Sequence, residues 1–349
     1  MTVKLLDCTL RDGGFVNDWK FGSRTIKNVV GKLADANVDF IEVGYLRDNA
    51  KSVSDSAQYP HTGALADALS EVNRKNSKLC AMVEFPGTSN LGTCSLENIG
   101  AQKESGIDYI RVMVNKNNNR SDVTQFFQEI RARGYGVCVQ PVSVTSWSET
   151  DMLDLLKHLQ PVDITQIAVV DTYGLLHWSE AEKYFRLLDD NLAPGVGLGF
   201  HAHNNFQMAY ANSVMLTKFP TKRNIVIDAS LYGMGKSAGN AHTELVAMYL
   251  NRTCGGNYGL VPIMEAIDSE IAELRPELPW GYSLQYYLAA LHGCQPNYVE
   301  FLLGEIPLSA IDEILGSMDP SKKLTFCKEY IQGLVNDHFA PLKVVKKAA

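Results

Sequence analysis

The sequence predicts a closed (β/α)8 barrel, of the TIM-barrel type, followed by a C-terminal helical extension, and three observations predict it. Eight short runs of β-branched and apolar residues alternate with longer segments of helical period, the pattern of βα units on a parallel sheet. The first run is not followed by the GxGxxG turn that marks an open dinucleotide-binding sheet. The alternation stops near Cys254, enough chain for one barrel of about 250 residues, and the rest of the 349 residues carries no strand pattern.

In order, strands are expected at Val3–Leu10, Phe40–Tyr45, Leu79–Phe85, Tyr109–Val114, Gly136–Val144, Ile164–Asp171, Gly197–His203 and Ile225–Leu231. After the first, Ser23–Ala36 repeats Ile26, Val29, Val30, Leu33 and Ala34 at helical spacing, and Ser23 can cap its first turn. A longer polar stretch containing Lys51–Pro60 follows the second strand. After the seventh, Asn205–Phe219 places Met208, Ala211, Met215 and Phe219 on one side of a helix. The expected division is a catalytic barrel over residues 1–255 and an extension over 256–349, serving packing or oligomer formation. Helices are expected there at Val261–Glu273, Leu284–Leu291 and Leu308–Leu315, before a tail ending KVVKKAA.

A hydrophobic fraction of 46% with 20% charged residues suits a globular protein with a sizeable core. The formal net charge of -7 argues against a sequence-independent grip on nucleic acid, which needs a clustered basic face. No run approaches the roughly 18 apolar residues needed to cross a bilayer. The seven cysteines form no CxxC pair, so free thiols, a reducing compartment and a cytoplasmic location are expected. Cys8, Cys80 and Cys138 lie in strand-like runs and read as buried small hydrophobes.

In such a barrel the reacting groups sit at the C-terminal ends of strands, where the βα loops converge. The strongest signal there is His201-Ala202-His203, because residues two apart on a strand project from one face and can share a divalent cation. A carboxylate from another strand would complete a facial set with open positions, and Asp12 is placed to supply it. Glu42 and Asp171 are candidate ion-pair partners for Arg11. Asp171 and Thr172 end the sixth strand, Arg111 ends the fourth, and Asn115, Lys116 and Arg120 follow it.

Three motifs carry a resemblance: Asp7-Cys8-Thr9-Leu10-Arg11-Asp12-Gly13, His201-Ala202-His203-Asn204-Asn205, and Gly233-Met234-Gly235-Lys236-Ser237-Ala238-Gly239-Asn240. Together they resemble the DRE-TIM metallolyase superfamily (HMGL-like), whose members make or break carbon–carbon bonds beside a metal-bound enolate. Within it the chain looks most like 4-hydroxy-2-oxovalerate aldolase and aldolase-like proteins of unassigned substrate. The resemblance implies Asp12, His201 and His203 as metal ligands, with Asn240 as a fourth. It implies Arg11 as the group that stabilises the enolate oxygen, a role suited to a guanidinium that stays charged and meets both carboxylate and oxyanion. Asp171 and Thr172 would wall the substrate pocket, with Arg111 beside them. The implied cofactor is manganese or magnesium, with zinc or cobalt as alternatives. The implied partners are a 2-oxo acid and an aldehyde, with a homo-oligomeric assembly, and a dehydrogenase partner is left open; neither nucleic acid nor membrane is implied.

One departure is chemical. The family's aldolases carry a histidine base three positions after the ligand aspartate, and here that position is Phe15, which cannot move a proton. Asn17, Asp18, Tyr45, Tyr173, Tyr232, His292 and Tyr298 are candidates for the missing role, with Glu42 able to orient a water. His292 and Tyr298 stand out because they lie in a polar loop of the extension. The alternatives are an acyl-CoA-dependent Claisen condensing enzyme, a catalytically silent barrel that binds metal or metabolite, and a metal-dependent hydrolase, whose HxH usually falls on the first strand.

Overall fold

The computed structural model describes residues 2–51, 55–89 and 91–347. Residues 52–54 of the polar stretch after the second strand, and the last two alanines of the tail, lie outside the described residues. Eight parallel strands close into the expected barrel: β1 (Val3–Asp7), β2 (Phe40–Leu46), β3 (Lys78–Glu84), β4 (Tyr109–Val114), β5 (Gly136–Pro141), β6 (Gln166–Asp171), β7 (Gly197–Ala202) and β8 (Ile225–Ala229). Closure is made by β1, which pairs with β8 at Val3↔Ile225 and with β2 at Leu6↔Phe40. A two-residue strand, Gln58–Tyr59, adds to the outer end of β2. There the register slips between Glu42 and Tyr45. Gly44 takes φ +142°, and a Cβ on it would lie 2.1 Å from the Ala57 carbonyl oxygen, so only glycine fits this bulge.

The strands are shorter than expected at the ends that carry chemistry. β1 stops at Asp7, and Thr9–Asp12 turn into a short helix that swings Arg11 and Asp12 over the mouth. β5 stops at Pro141, β7 at Ala202 and β8 at Ala229, whereas β6 keeps its expected end at Asp171 and starts late, at Gln166. The first long helix runs Ser23–Asp35 with Ile26, Val29, Val30, Leu33 and Ala34 buried, as its periodicity required. Ser23 does not cap it: the cap position is Gly22, and Ser23 is already helical. The helix after β7 is Ala209–Leu216, and it turns the opposite way from expectation. Its buried face is Ala209, Asn212, Ser213 and Leu216, while Met215 is 37% exposed. Asn212 and Ser213 can be buried because they bond the carbonyls of Leu176 and Ala209.

The main core continues past residue 255. Tyr258, Ile263, Ala266, Ile271 and Trp280 belong to it, so the packing boundary lies between Trp280 and Leu288. The expected helix Val261–Glu273 is realised as Leu260–Ala266, followed by a wide turn at Ile267–Ile271 and a tight one at Ala272–Leu274. Lys32 pairs with Glu265 at 2.5 Å, and Thr25 and Asn28 both donate to Glu270, which ties this segment to the first helix. Beyond it, helices Leu284–Leu291, Pro296–Leu302, Leu308–Ser317 and Lys328–Lys347 enclose a second core around Leu288, Tyr298, Val299, Ile311, Ile314 and Ile331. Cys8, Cys80 and Cys138 are buried as free thiols. Among the described residues no helix is long and apolar enough to cross a membrane.

Candidate active site

At the C-terminal mouth of the barrel, Asp12, His201 and His203 bring one ligand atom each to within 4.8 Å of one another, and all three are buried. His201 Nε2 lies 3.8 Å from Asp12 Oδ1. The alternation of β7 aims both imidazoles the same way, and the bridge between His203 and Asn240 carries that geometry one residue past the strand end. Each ring is oriented through Nδ1: His201 contacts Asp228 Oδ2 at 3.0 Å, and His203 contacts the Lys236 carbonyl at 3.0 Å. With its proton on Nδ1, His201 keeps the Nε2 lone pair for a cation, while His203 Nδ1 also lies 3.9 Å from Asp12 Oδ2.

Asp12 is prepared as an anion. Burial opposes its charge, yet the Arg11 guanidinium, then His203, His201 and the Asn240 amide, hold its carboxyl well below the usual carboxylate range. Burial also pulls His203 down to about 4, against the pull of Asp12, so its ring is neutral at ordinary pH. Asn240 Nδ2 donates to Asp12 Oδ2 at 2.7 Å, while its Oδ1 is buried with no partner among the described residues. An orphaned oxygen beside two imidazoles and a carboxylate is the donor set of a divalent-cation site. The residues therefore fit the expected metal.

Beneath the triad a charged layer crosses the barrel. Arg11 donates to Glu42 at 2.7 Å through Nε and to Asp12 at 2.6 Å through Nη1. Arg111 pairs with Glu42 at 3.0 Å and with Asp228, and donates to Gln140 at 3.1 Å. Burial opposes the Asp228 charge, but Arg111 and His201 hold its carboxyl low. The chain Arg111, Asp228, His201 thus fixes the ring orientation of a ligand from across the barrel.

A cavity of about 350 Å³ lies between the barrel and the extension beside the Gly235–Ser237 turn, and none of the triad lines it. Phe15, Val16 and Gly235–Ser237 form its barrel wall; Trp280, Tyr286 and Asn297 stand on the extension side. The Lys236 ammonium lies 5.4 Å from the Phe15 ring centre and 6.0 Å from that of Tyr173, and burial pulls its pKa below the usual lysine value.

Several expected site residues are placed elsewhere. Arg111 is not at the mouth; it lines a smaller cavity of about 170 Å³ reached from Lys4, Gly195 and Asn224 at the opposite end. Asp171 caps its own loop by accepting the Leu175 and Leu176 amides, and burial raises its pKa to about 6. Thr172 accepts the Ser143 amide. Neither lines the cavity among the described residues. His292 sits against Asp312 at 2.8 Å, and the Tyr298 hydroxyl is spent on the Lys322 and Thr325 carbonyls at 2.8 and 2.6 Å inside the second core. Neither His292 nor Tyr298 lines the cavity among the described residues; His292 Nε2 and the Tyr298 hydroxyl are engaged within the extension instead. Tyr45 donates to Met113 Sδ, Asp18 pairs with Lys20 in solvent, and Asn115, Lys116 and Arg120 bond neighbouring loop carbonyls.

Other residues had no expectation attached. Asp228 was legible only as an acid in the apolar run Ile225–Leu231. Arg47 is stacked 3.9 Å from the Tyr45 ring and 4.5 Å from Trp19, with Nε and Nη2 buried and unpartnered among the described residues. Nothing in its local sequence distinguishes it from a surface arginine.

The family described as HMGL-like matches residues 2–268, well over half of the chain. The chain belongs to the HMGL-like family. This bears out the resemblance carried by the first-strand, seventh-strand and glycine-rich motifs. Across 301 residues it is 26% identical to the oxaloacetate decarboxylase of Mycobacterium tuberculosis, covering 85% of this chain and 84% of that protein. It is 28% identical over 309 residues to the 4-hydroxy-2-oxovalerate aldolase of Roseiflexus castenholzii, covering 83% and 85% respectively. The Bacillus cereus protein of that name is 26% identical over 303 residues, covering 83% and 84%. The fold is shared with the N-terminal domain of a proposed aldolase from Bacteroides vulgatus, at TM-score 0.69 and 24% identity, over 85% of this chain and 95% of that one. Rhizobium etli pyruvate carboxylase shares it at TM-score 0.70 and 15% identity, over 98% of this HMGL-like chain and 36% of the carboxylase.

Proposed function

We propose that this HMGL-like protein is a divalent-metal-dependent carbon–carbon lyase that cleaves, or in reverse forms, the C3–C4 bond of a 4-hydroxy-2-oxo acid. The observation that carries the reading is the buried set Asp12, His201 and His203 with the Arg11 guanidinium 2.6 Å from the ligand carboxylate. Asp12, His201, His203 and Asn240 would hold the cation, whose chemistry when bound is Lewis-acid polarisation of the 2-oxo acid. Arg11 supplies a fixed positive charge beside the keto oxygen, where negative charge grows as C3 becomes nucleophilic. Glu42 keeps Arg11 in that pose through its 2.7 Å contact and so acts as a positioning residue. The cavity between barrel and extension receives the C4 half of the molecule, and the extension wall shields it from bulk water. The relatives named as 4-hydroxy-2-oxovalerate aldolases support the reaction class, and the one named as an oxaloacetate decarboxylase supports the same 2-oxo acid half.

The test is exchange of the methyl protons of pyruvate into deuterated water, followed by proton NMR with manganese- or magnesium-loaded protein. Exchange that disappears in His201→Ala and on chelation is the expected result. A fully loaded protein that exchanges no protons of pyruvate or of other short 2-oxo acids would sink the aldolase reading.

A further inference from the structure

Lys236 is the only cationic side chain among the described residues that line the cavity between barrel and extension. Its backbone is pinned at the site: the amide donates to Asp12 Oδ2 at 3.1 Å and the carbonyl accepts from His203. Its ammonium rests against Phe15 and Tyr173 and makes no hydrogen bond or ion pair among the described residues. The nearby carboxyls are already engaged, Asp12 by Arg11 and Asn240, and Glu84 by Ser89. Glu277 and Glu300 also border the cavity, but on the extension side, where both are exposed. A half-buried ammonium without an anion is unfavourable, and contact with two ring faces offsets only part of that cost.

We propose that the substrate carries a second acidic group on the far side of the breaking bond, at C4 or beyond, and that Lys236 binds it. This rests on the lyase reading, which gives the first carboxylate and the keto oxygen to the triad and Arg11. The substrate class is then a dianionic 2-oxo acid, and two reactions share that chemistry. In a retro-aldol cleavage the C3–C4 bond breaks, its electron pair stays on C3, and the C4 hydroxyl loses its proton to water as C4 becomes an aldehyde bearing the acid. In a decarboxylation the same bond breaks, the pair again stays on C3, and C4 departs as carbon dioxide. In both a proton from water then completes the methyl group of pyruvate, and nothing is oxidised or reduced.

The experiment has a binding arm and a turnover arm, both on the full chain loaded with manganese. Calorimetry compares 2-oxoglutarate with 2-oxobutyrate, and kinetics compares 4-hydroxy-2-oxoglutarate, 4-hydroxy-2-oxovalerate and oxaloacetate. A charge-assisted contact predicts that the diacids are preferred by about 10–100-fold in both arms. Lys236→Met erases the preference, and Lys236→Arg, which keeps the charge, retains part of it; metal content and circular dichroism confirm that each variant is folded. Which diacid turns over separates aldol from decarboxylation chemistry. Equal binding of the monoacid and diacid by the native chain, or a preference that survives in Lys236→Met, overturns the proposal. Failure of pyruvate proton exchange alone overturns the lyase reading and leaves the binding arm to judge Lys236.

Discussion

Asp228 neither lines the cavity nor belongs to the triad, yet the proposed metal centre would depend on it. It holds His201 through Nδ1 and is itself held by Arg111, so Asp228→Asn should leave the ligand count intact while loosening the ring and disturbing its tautomer. Loss of such a partner lowers metal affinity by about 10–100-fold, and competition with a fluorescent chelator would measure it; unchanged affinity would show that β7 alone aims the ring. Asp7, below the mouth, makes a different prediction. Burial raises its carboxyl from 3.8 to about 6, against bonds from Thr243 and Thr9. A raised pKa means that this group's contribution to stability is full below about 3.8 and is lost as pH rises through about 6, a change on the order of 3 kcal/mol. Asp7→Asn cannot ionise, so the metal-free variant should gain stability relative to the native chain on going from pH 4.5 to pH 7.5. Denaturant titrations at the two pH values check the difference, and a constant offset would contradict it. At this scale the ligand triad was legible because two of its members are two residues apart on one strand and the third stands in a recognisable motif. Lys236, Arg47 and Asp228 were not, because their meaning depends on which side chains converge from other strands.

Elements were legible where a period decided them and misread where a local polar bond did. The eight strands and the helix Ser23–Asp35 follow from alternation and from an apolar stripe. The helix Ala209–Leu216 buries a different face from the apolar one, because the Asn212 amide and the Ser213 hydroxyl donate to the Leu176 and Ala209 carbonyls there. The glycine-rich turn after β8 was recognised by pattern alone, and the coordinates supply its reason. A Cβ on Gly235 would stand 2.1 Å from Asn240 Nδ2 and 2.6 Å from Asp12 Oδ2, so the absent side chain leaves space for the proposed metal ligands. Gly235→Ala must displace Asn240, Asp12 or the turn. Turnover should fall on the order of 10²-fold, the scale of a small misplacement in an organised site, with the barrel still folded by circular dichroism. An alanine variant of full activity would mean that the turn yields more easily than its packing implies.

Two large cores dominate the described residues, and the cavity lies where they meet. The barrel core closes on Trp280, whose indole donates to the Tyr232 carbonyl at 2.9 Å, while the second core begins at Leu288. Contacts across the join are local: Asn205 donates to the Tyr286 carbonyl at 3.3 Å, and the Phe206 and Tyr287 rings lie 6.3 Å apart. The triad, Arg11, Glu42, Arg111 and Asp228 all belong to the barrel. A chain ended at Tyr282 therefore keeps every proposed ligand and the groups that orient them, but loses Gln285, Tyr286, Pro296, Asn297 and Glu300 from the cavity wall. It should bind one divalent cation with an affinity within about threefold of the full chain, since affinity is set by the ligands and the partners that orient them. Its pyruvate proton exchange should persist, because that half-reaction needs only the floor of the site. Cleavage of a 4-hydroxy-2-oxo acid should weaken mainly through KM, because the lost wall contacts the C4 half in ground state and transition state alike. Loss of metal binding in the shortened chain would show instead that the extension is part of the barrel's folding unit. A fall in kcat without a change in KM would place a reacting group on the extension.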